Sequence, residues 1–270
     1  PPPDILADVI DHVNIGDTTS ETGYNLTNWG PVEPDTHPGH WGYPDHNYGG
    51  DVPPGGGDGD CRVVSDSTSG TDWASLELDF GAPTDQKFLV LKHLDGHATD
   101  AFDVYIDDMS GDPIFSYPGD DSGSEYWMMK EIPVSLSGVH TVYLDSTAEH
   151  WESGWETFGQ VAFTWAAVVR KHIVVPAESA GATVTINGMA KDNFDPAPSL
   201  SYDKGPTAWF PVGDTLVTLT ASDEDGNTSQ ESVLVTVVGG DFPPNPCANP
   251  LDRVDVGDAA SESGHNLSGW

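Results

Sequence analysis

The chain has 270 residues, including 30 Gly, 22 Pro, 9 Trp, 8 Tyr and 9 Phe. It contains 44 acidic residues but only 9 Lys and Arg, which gives a formal net charge of −35 at pH 7. A surface this acidic repels nucleic acid and anionic lipid, and no apolar run approaches the ~20 residues of a membrane span, so the composition excludes nucleic-acid binding and membrane insertion. Turn-forming residues scattered among short apolar stretches favour an all-β fold.

Short alternating segments predict the strands of a first domain over residues 1–170. In SLELDF, Leu76, Leu78 and Phe80 share one face, and in FDVYID the same holds for alternate apolar residues. The predicted strands are Ile10–Ile15, Arg62–Val64, Ser75–Phe80, Phe88–His93, Phe102–Ile106, Pro113–Tyr117, Tyr126–Val134, His140–Asp145 and Val161–Val169.

The order of these segments resembles a known type of domain. VNIGDTTSETGYN, CRVV, KFLVLKHLDG, FDVYIDD, EYWMMKEIPVSLSG and HTVYLDS follow one another as in galactose-binding-like, carbohydrate-binding-module-type jelly rolls. The resemblance implies a jelly-roll β-sandwich. The last strand departs from the pattern, because FGQVAFTWAAV lacks the acidic residue that often closes the family's calcium site.

A second, smaller domain is predicted over residues 171–240. Its strands are His172–Val175, Thr183–Ile186, Thr215–Ser222 and Ser232–Val238, with a shorter one near Trp209. IVVPAESAGATVTI, KDNFDPAPSLSYD and FPVGDTLVTLTASDEDGNTSQESVLVTV resemble a hyalin repeat (HYR), which implies an immunoglobulin-like sandwich and a role in adhesion or spacing. The family's frequent cysteine pair is missing here.

An internal repeat follows a Pro-rich linker at 241–247. Residues 248–270 match residues 7–29 at a constant offset of 241, with eleven of 23 positions identical. The last 23 residues therefore read as the first strand of a second jelly roll. A lone strand cannot bury its apolar side, so we expect this segment to contact another unit head to tail.

Acidic residues at strand ends suggest structural calcium, which prefers oxygen ligands. Asp17 and Glu21 recur in the second copy, while DEDGN, which contains Asp223 and Asp225, is first of all a hairpin turn. A solvated acidic surface is the alternative throughout. The candidate ligands are Asp17, Glu21, Asp72, Asp103, Asp223 and Asp225.

Two aromatic segments are candidates for sugar binding. The loop over 30–60 contains Trp41 and Tyr43, and HWESGWETFG contains Trp151 and Trp155. The loop's His37, His40 and His46 match no standard metal spacing, and its aromatic residues could equally cover the core. The acids of HWESGWETFG lie on one short segment instead of across a cleft, so no catalytic residue is assigned and we expect no enzyme.

The remaining candidates concern covalent chemistry. Cys61 and Cys247 could form a disulfide within the chain or across a unit junction, or stay reduced. Asn25, Asn227 and Asn266 lie in glycosylation sequons.

The sequence thus predicts a calcium-stabilised structural repeat unit of an extracellular or cell-surface stalk, sheath or filament, whose partners are copies of itself. The alternative is a carbohydrate-binding accessory module of an extracellular polysaccharide-active protein.

Overall fold

A computed structural model describes residues 2–34, 60–65, 72–83, 86–95, 100–120, 126–147, 149–152, 155–158, 160–178, 180–192, 195 and 197–239. Over these ranges the chain is almost entirely β-structure and contains no α-helix, so no described segment is a helix able to cross a membrane. The predicted all-β class is confirmed.

The strands are numbered in chain order. They are β1 Asp4–Leu6, β2 Val9–Asn14, β3 Glu33–Pro34, β4 Asp60–Ser65, β5 Trp73–Asp79, β6 Gln86–Asp95, β7 Phe102–Ile106, β8 Phe115–Tyr117, β9 Tyr126–Val134, β10 Val139–Ser146, β11 Glu149–Glu152, β12 Trp155–Phe158, β13 Gln160–Pro176, β14 Gly181–Thr185, β15 Met189–Lys191, β16 Ser199–Tyr202, β17 Thr207–Pro211, β18 Gly213–Ser222 and β19 Thr228–Val238.

Two sheets form the first sandwich. The front sheet has the order β5-β10-β7-β8, and the back sheet places β13 between β6 on one side and β2 and β4 on the other, with β9 outside β6. Alternation directs one set of side chains from each sheet into a common core. Representative core residues are Leu76, Leu78, Val104, Val142 and Leu144 from the front and Leu89, Leu91, Ala166 and Val168 from the back.

Strand β13 continues from the first sandwich into the second. Its residues 161–169, VAFTWAAVV, are all buried, as expected for a central strand covered on both faces. Beyond this stretch, β13 pairs in parallel with β19 from His172 to Pro176. The boundary predicted at 170/171 therefore falls inside one strand, and the division into domains stays a prediction.

The second sandwich places the order β16-β18-β19-β13 against the two-stranded sheet β14-β17. Its core contains Val217, Leu219, Val233, Val235 and Phe210. The N-terminal strand β1 adds to it, because Asp4–Leu6 pairs antiparallel with Met189–Lys191 and Ile5 and Ala7 lie in this core. The sequence pattern did not reveal β1, since a three-residue strand is too short to show a period.

A buried ion pair joins the two sandwiches. Asp8 is fully buried, and its Oδ2 accepts a hydrogen bond from Nε of Arg170 at 2.6 Å. Its Oδ1 accepts from the backbone N of Asn187 at 2.7 Å. Beside this pair, Leu6 and Met189 cover the outer side of the back sheet, where Trp165 is fully buried.

All eleven repeated residues of the first copy have structural roles. Ala7 and Val13 are buried, Leu26 packs on the core, and Trp29 Nε1 donates to the carbonyl of Ser75 at 2.8 Å. Gly16 and Gly23 have positive φ angles of 109° and 99°. The others are polar or turn residues with side-chain hydrogen bonds, namely Asp11, Asp17, Ser20, Glu21 and Asn25. The repeat therefore preserves the determinants of this fold. The second copy itself lies outside the described residues.

Substitution of the two repeated glycines tests this packing. A Cβ on Gly16 would lie 2.7 Å from the backbone N of Cys61, whereas one on Gly23 would meet nothing within 4 Å. Both alanine variants strain a positive φ, at about 1 kcal/mol. Gly16→Ala should lower the free energy of unfolding by about 1–3 kcal/mol more than Gly23→Ala does, because β4 must move to accommodate the new Cβ. Chemical denaturation compares the two variants, and equal losses would contradict the close approach.

Two histidines have a buried ring nitrogen without a hydrogen-bond partner among the described residues. His93 Nδ1 lies 2.9 Å from the carbonyl of Leu94, and its Nε2 has no hydrogen-bond partner. Burial lowers the pKa of His93 to about 4. The Nε2 of His12 is also buried without a partner, and burial, followed by the charge of Lys191, lowers its pKa to about 3.

These histidines should make stability depend on pH. Between pH about 6.5 and about 4 the unfolded chain binds protons that the folded chain does not, so the free energy of unfolding falls as the pH is lowered. Each histidine contributes about 1.4 kcal/mol per pH unit within its window. Urea denaturation at several pH values should give a shallower slope for His12→Gln and His93→Gln than for the parent. His140→Gln is the control, and slopes unchanged in both His12→Gln and His93→Gln would refute the assignment.

Candidate functional site

The repeated carboxylates Asp17 and Glu21 organise the turn after β2. Asp17 Oδ1 accepts from the backbone N of Thr19 at 2.8 Å. Glu21 forms a bidentate salt bridge with Arg62, with N–O distances of 2.6 and 2.7 Å. Its Oε1 also accepts a hydrogen bond from the backbone N of Gly16 at 2.8 Å. These contacts fasten the turn to β4. Arg62 completes the arrangement by donating to the carbonyl of Gly30 at 2.7 Å.

The other predicted calcium ligands do not lie together. Asp72 precedes β5, and its buried Oδ1 has no hydrogen-bond partner among the described residues. Asp103 lies on β7. Asp223 and Asp225 lie in the β18–β19 turn, where Asp223 binds the backbone N and Nδ2 of Asn227, both at 2.7 Å. In the part of the chain that the structure describes, no group of three or more His, Cys, Asp or Glu could hold a metal ion. Calcium binding stays a prediction.

The covalent predictions also stay open. Cys61 is fully buried on β4, and Cys247 lies outside the described residues. The amide Nδ2 of Asn25 donates to Glu77 at 2.6 Å and that of Asn227 to Asp223. Asn266 lies outside the described residues.

The predicted sugar-binding residues are described only in part. Trp41 and Tyr43, with the three histidines of their loop, lie outside the described residues. Trp151 and Trp155 lie in the hairpin β11–β12, where Trp151 pairs with Glu156 and Trp155 with Glu152. This hairpin is described by its backbone alone.

A different aromatic surface lies on the outer side of the front sheet. Since Leu144, Ala74 and Val104 point into the core, their strand neighbours point outward. The register forms two rows across β5, β10 and β7: Trp73, Asp145 and Asp103 in one, and Ser75, Tyr143 and Tyr105 in the next. We call Trp73, Asp103, Tyr105, Tyr143 and Asp145 the acidic aromatic face.

The rings of this face are partly exposed and close together. The centroids of Trp73 and Tyr143 are 5.4 Å apart, with their planes at 64°. Tyr105 is directly opposite Tyr143 on the neighbouring strand, and its hydroxyl lies 3.4 Å from Oδ2 of Asp103. Desolvation, followed by the charges of Asp103 and Asp145, raises the pKa of Tyr105. The face therefore combines flat apolar rings with acceptor oxygens.

A second polar cluster at one end of the first sandwich has a structural role. Asp95 is fully buried at the end of β6, and its Oδ1 accepts from the backbone N of Asp120 at 3.0 Å. Its Oδ2 accepts from the hydroxyls of Tyr117 and Tyr126. Both carboxylate oxygens are thus satisfied by protein groups, which leaves this cluster no acceptor directed at a ligand.

Sequence reasoning missed the acidic aromatic face. It concentrated on segments rich in Trp, whereas this face is assembled from single aromatic residues on three strands. The outward positions of FDVYID and HTVYLDS carried the signal, because each alternates an aromatic residue with an aspartate on the side opposite the apolar residues.

Comparison with known proteins gives distant likenesses only. Neither a protein-family model nor a curated protein matches the sequence. Among solved structures, the M60 catalytic domain with the CBM51-1 and CBM51-2 domains of Clostridium perfringens ZmpB is 13% identical, with a TM-score of 0.29, over 85% of this chain and 24% of that one. A glycoside hydrolase family 43 arabinoxylan arabinofuranohydrolase from Bacillus subtilis, in complex with cellotetraose, is 14% identical, with a TM-score of 0.30, over 54% and 27%.

The plant receptor-like kinase ANX2 is 11% identical, with a TM-score of 0.32, over 74% of this chain and 49% of that one. The chain thus spans half or less of each of these proteins. The function proposed below rests on side-chain geometry alone.

The paired aspartates of the acidic aromatic face should cost stability. Asp103 is directly opposite Asp145, and like charges at such positions repel. Asp103→Asn should therefore raise the free energy of unfolding by about 0.5 kcal/mol at low salt, and less at high salt, where the repulsion is screened.

A matched change elsewhere provides the control. Asp223→Asn removes the same charge from a carboxylate that accepts two hydrogen bonds from Asn227, so it should lower stability by about 1 kcal/mol. Denaturant titration measures both variants. A loss of stability in Asp103→Asn would show that Asp103 is a structural partner instead of a repelled charge.

Proposed function

We propose that this chain is a non-catalytic carbohydrate-binding unit of a repetitive extracellular protein, and that the acidic aromatic face binds the polysaccharide. The observation that supports the proposal is the outward position of Trp73, Tyr143 and Tyr105 on adjacent strands, with Asp103 and Asp145 in the same row as Trp73. A rigid sheet holds all five side chains.

The chemistry of the face suits a sugar chain. The C–H groups of a pyranose ring carry slight positive charge and stack on the negative face of an aromatic ring. Hydroxyl groups around the same ring donate hydrogen bonds, which the carboxylates of Asp103 and Asp145 accept. Since the face lies on a sheet and not in a cleft, it can accommodate a chain without enclosing a bond for cleavage. Binding without hydrolysis is therefore the activity we expect.

The structural-repeat hypothesis has its own supporting observation. Residues that set the fold of the first copy, among them Gly16, Glu21 and Trp29, recur as Gly257, Glu262 and Trp270. A protein made of such units would present several acidic aromatic faces. Several weak sites on one polymer bind more tightly together than singly. Under this proposal repetition contributes to glycan binding, while self-association through residues 241–270 is a separate hypothesis.

Loss of the aromatic rings tests the proposal. Affinity electrophoresis and particle pull-down against a panel of neutral and charged polysaccharides should identify at least one ligand. Trp73→Ala and Tyr143→Ala should each weaken its binding by about tenfold, because each removes one stacking surface.

The control is Trp209→Ala, which removes a tryptophan that is 58% exposed on the second sandwich. It should leave binding unchanged. Equal binding by all three variants would exclude this face as the site, and release of reducing sugar by the parent protein would exclude a purely binding function.

A further inference from the structure

The front sheet is strongly polarised in charge. Strands β5, β7, β8 and β10 contain no Lys or Arg, whereas they carry Glu77, Asp79, Asp103 and Asp145. Asp112, in the turn between β7 and β8, also contributes to the raised pKa of Tyr105. Every formal charge that these residues bring to the sheet is negative.

The cations of the chain lie elsewhere. The eight that fall within the described residues lie on β4, β6, β9, β13 and β15 or in the turn before β17: Arg62, Lys87, Lys92, Lys130, Arg170, Lys171, Lys191 and Lys204. Among their contacts are Glu21 for Arg62, Asp4 for Lys92 and Asp8 for Arg170. The charge of the front sheet is thus not compensated by any cationic residue of its own strands.

This arrangement discriminates between classes of polysaccharide. A uronic-acid polymer brings carboxylates to a face that already repels them. A neutral glycan can stack on the rings but leaves the repulsion between Asp103 and Asp145 in place. A polymer with protonated amino groups relieves that repulsion, because an ammonium group donates charge-assisted hydrogen bonds to the carboxylates and is attracted to the faces of the rings.

From this charge complementarity we infer that the acidic aromatic face selects a polysaccharide bearing free amino groups, a cationic amino-sugar polymer. The inference rests on the proposed function and narrows it to one ligand class. Asp103 and Asp145 recognise the ammonium groups, while Trp73 and Tyr143 stack on the sugar rings between them.

A matched pair of polymers tests the selection. Chitosan particles and the same particles after N-acetylation share one backbone and differ in amino charge. Pull-down at slightly acid pH, where the amines are protonated, should give at least tenfold tighter binding to chitosan. Asp103→Asn/Asp145→Asn should remove most of that preference, since it removes both charge-assisted contacts to the ammonium groups.

A control must separate this site from the net charge of −35, which attracts any polycation. Glu224→Gln/Asp225→Asn makes the same change in charge on the exposed β18–β19 turn and should bind chitosan like the parent protein. Equal weakening by the two double variants would reduce the effect to non-specific attraction and overturn the inference. Competition with chitosan by poly-lysine, if it depends on Asp103 and Asp145, would also overturn the inference. It would indicate a basic polypeptide as the partner.

Failure of the inference is distinguishable from failure of the proposed function. Equal binding to both polymers, or binding only to a neutral glycan, overturns the amino-sugar preference. If Trp73→Ala weakens that binding, the proposed function still stands. If no polysaccharide binds, both fall.

Discussion

The scarcity of cations constrains this molecule more than any other feature. Nine Lys and Arg accompany 44 acidic residues, so the acidic residues far outnumber the cations available to pair with them. Three cations with described ion pairs join separate elements: Arg62 holds the first turn to β4, Arg170 holds the buried Asp8, and Lys92 holds Asp4 of β1. An unpaired buried carboxylate would be costly, which explains this use of cations in the interior. The front sheet contains none of them and is left acidic.

Strand β13 and the Asp8–Arg170 pair show how the two sandwiches become one structure. β13 is shared by both cores, and the corner after β1 is fixed by Asp8 and by the hydrogen bond from Val9 N to the carbonyl of Asn187 at 2.8 Å. The second copy has Asn249 and Pro250 at the positions of Asp8 and Val9. Proline has no N–H group and asparagine no charge, so the sequence of the second copy lacks the backbone donor and the carboxylate that form these contacts in the first copy.

The sequence predicted those elements whose faces differ in polarity. SLELDF and FDVYID alternate clearly, and β5 and β7 follow with Leu76, Leu78, Phe102 and Val104 buried. β13 was expected as two strands, because a strand buried on both faces has no period to reveal its continuity. The contacts of the site could not be predicted in the same way. The ring contact of Trp73 with Tyr143 depends on the register of β5 against β10, which alternation within one strand does not determine.

Among the described residues, the junction lies on the side of the first sandwich opposite the acidic aromatic face. Leu6 and Met189 cover the back sheet on the side away from the first core, around Trp165. The second sandwich thus joins the first through the back sheet, whereas Trp73, Tyr143 and Tyr105 point outward from the front sheet. Had β1 covered the front sheet instead, these rings would have become core residues, and their neighbouring aspartates would have required cations that the chain does not supply. The charge imbalance and the route of the N-terminal strand consequently favour the same arrangement, with the apolar outer side buried and the acidic one partly exposed.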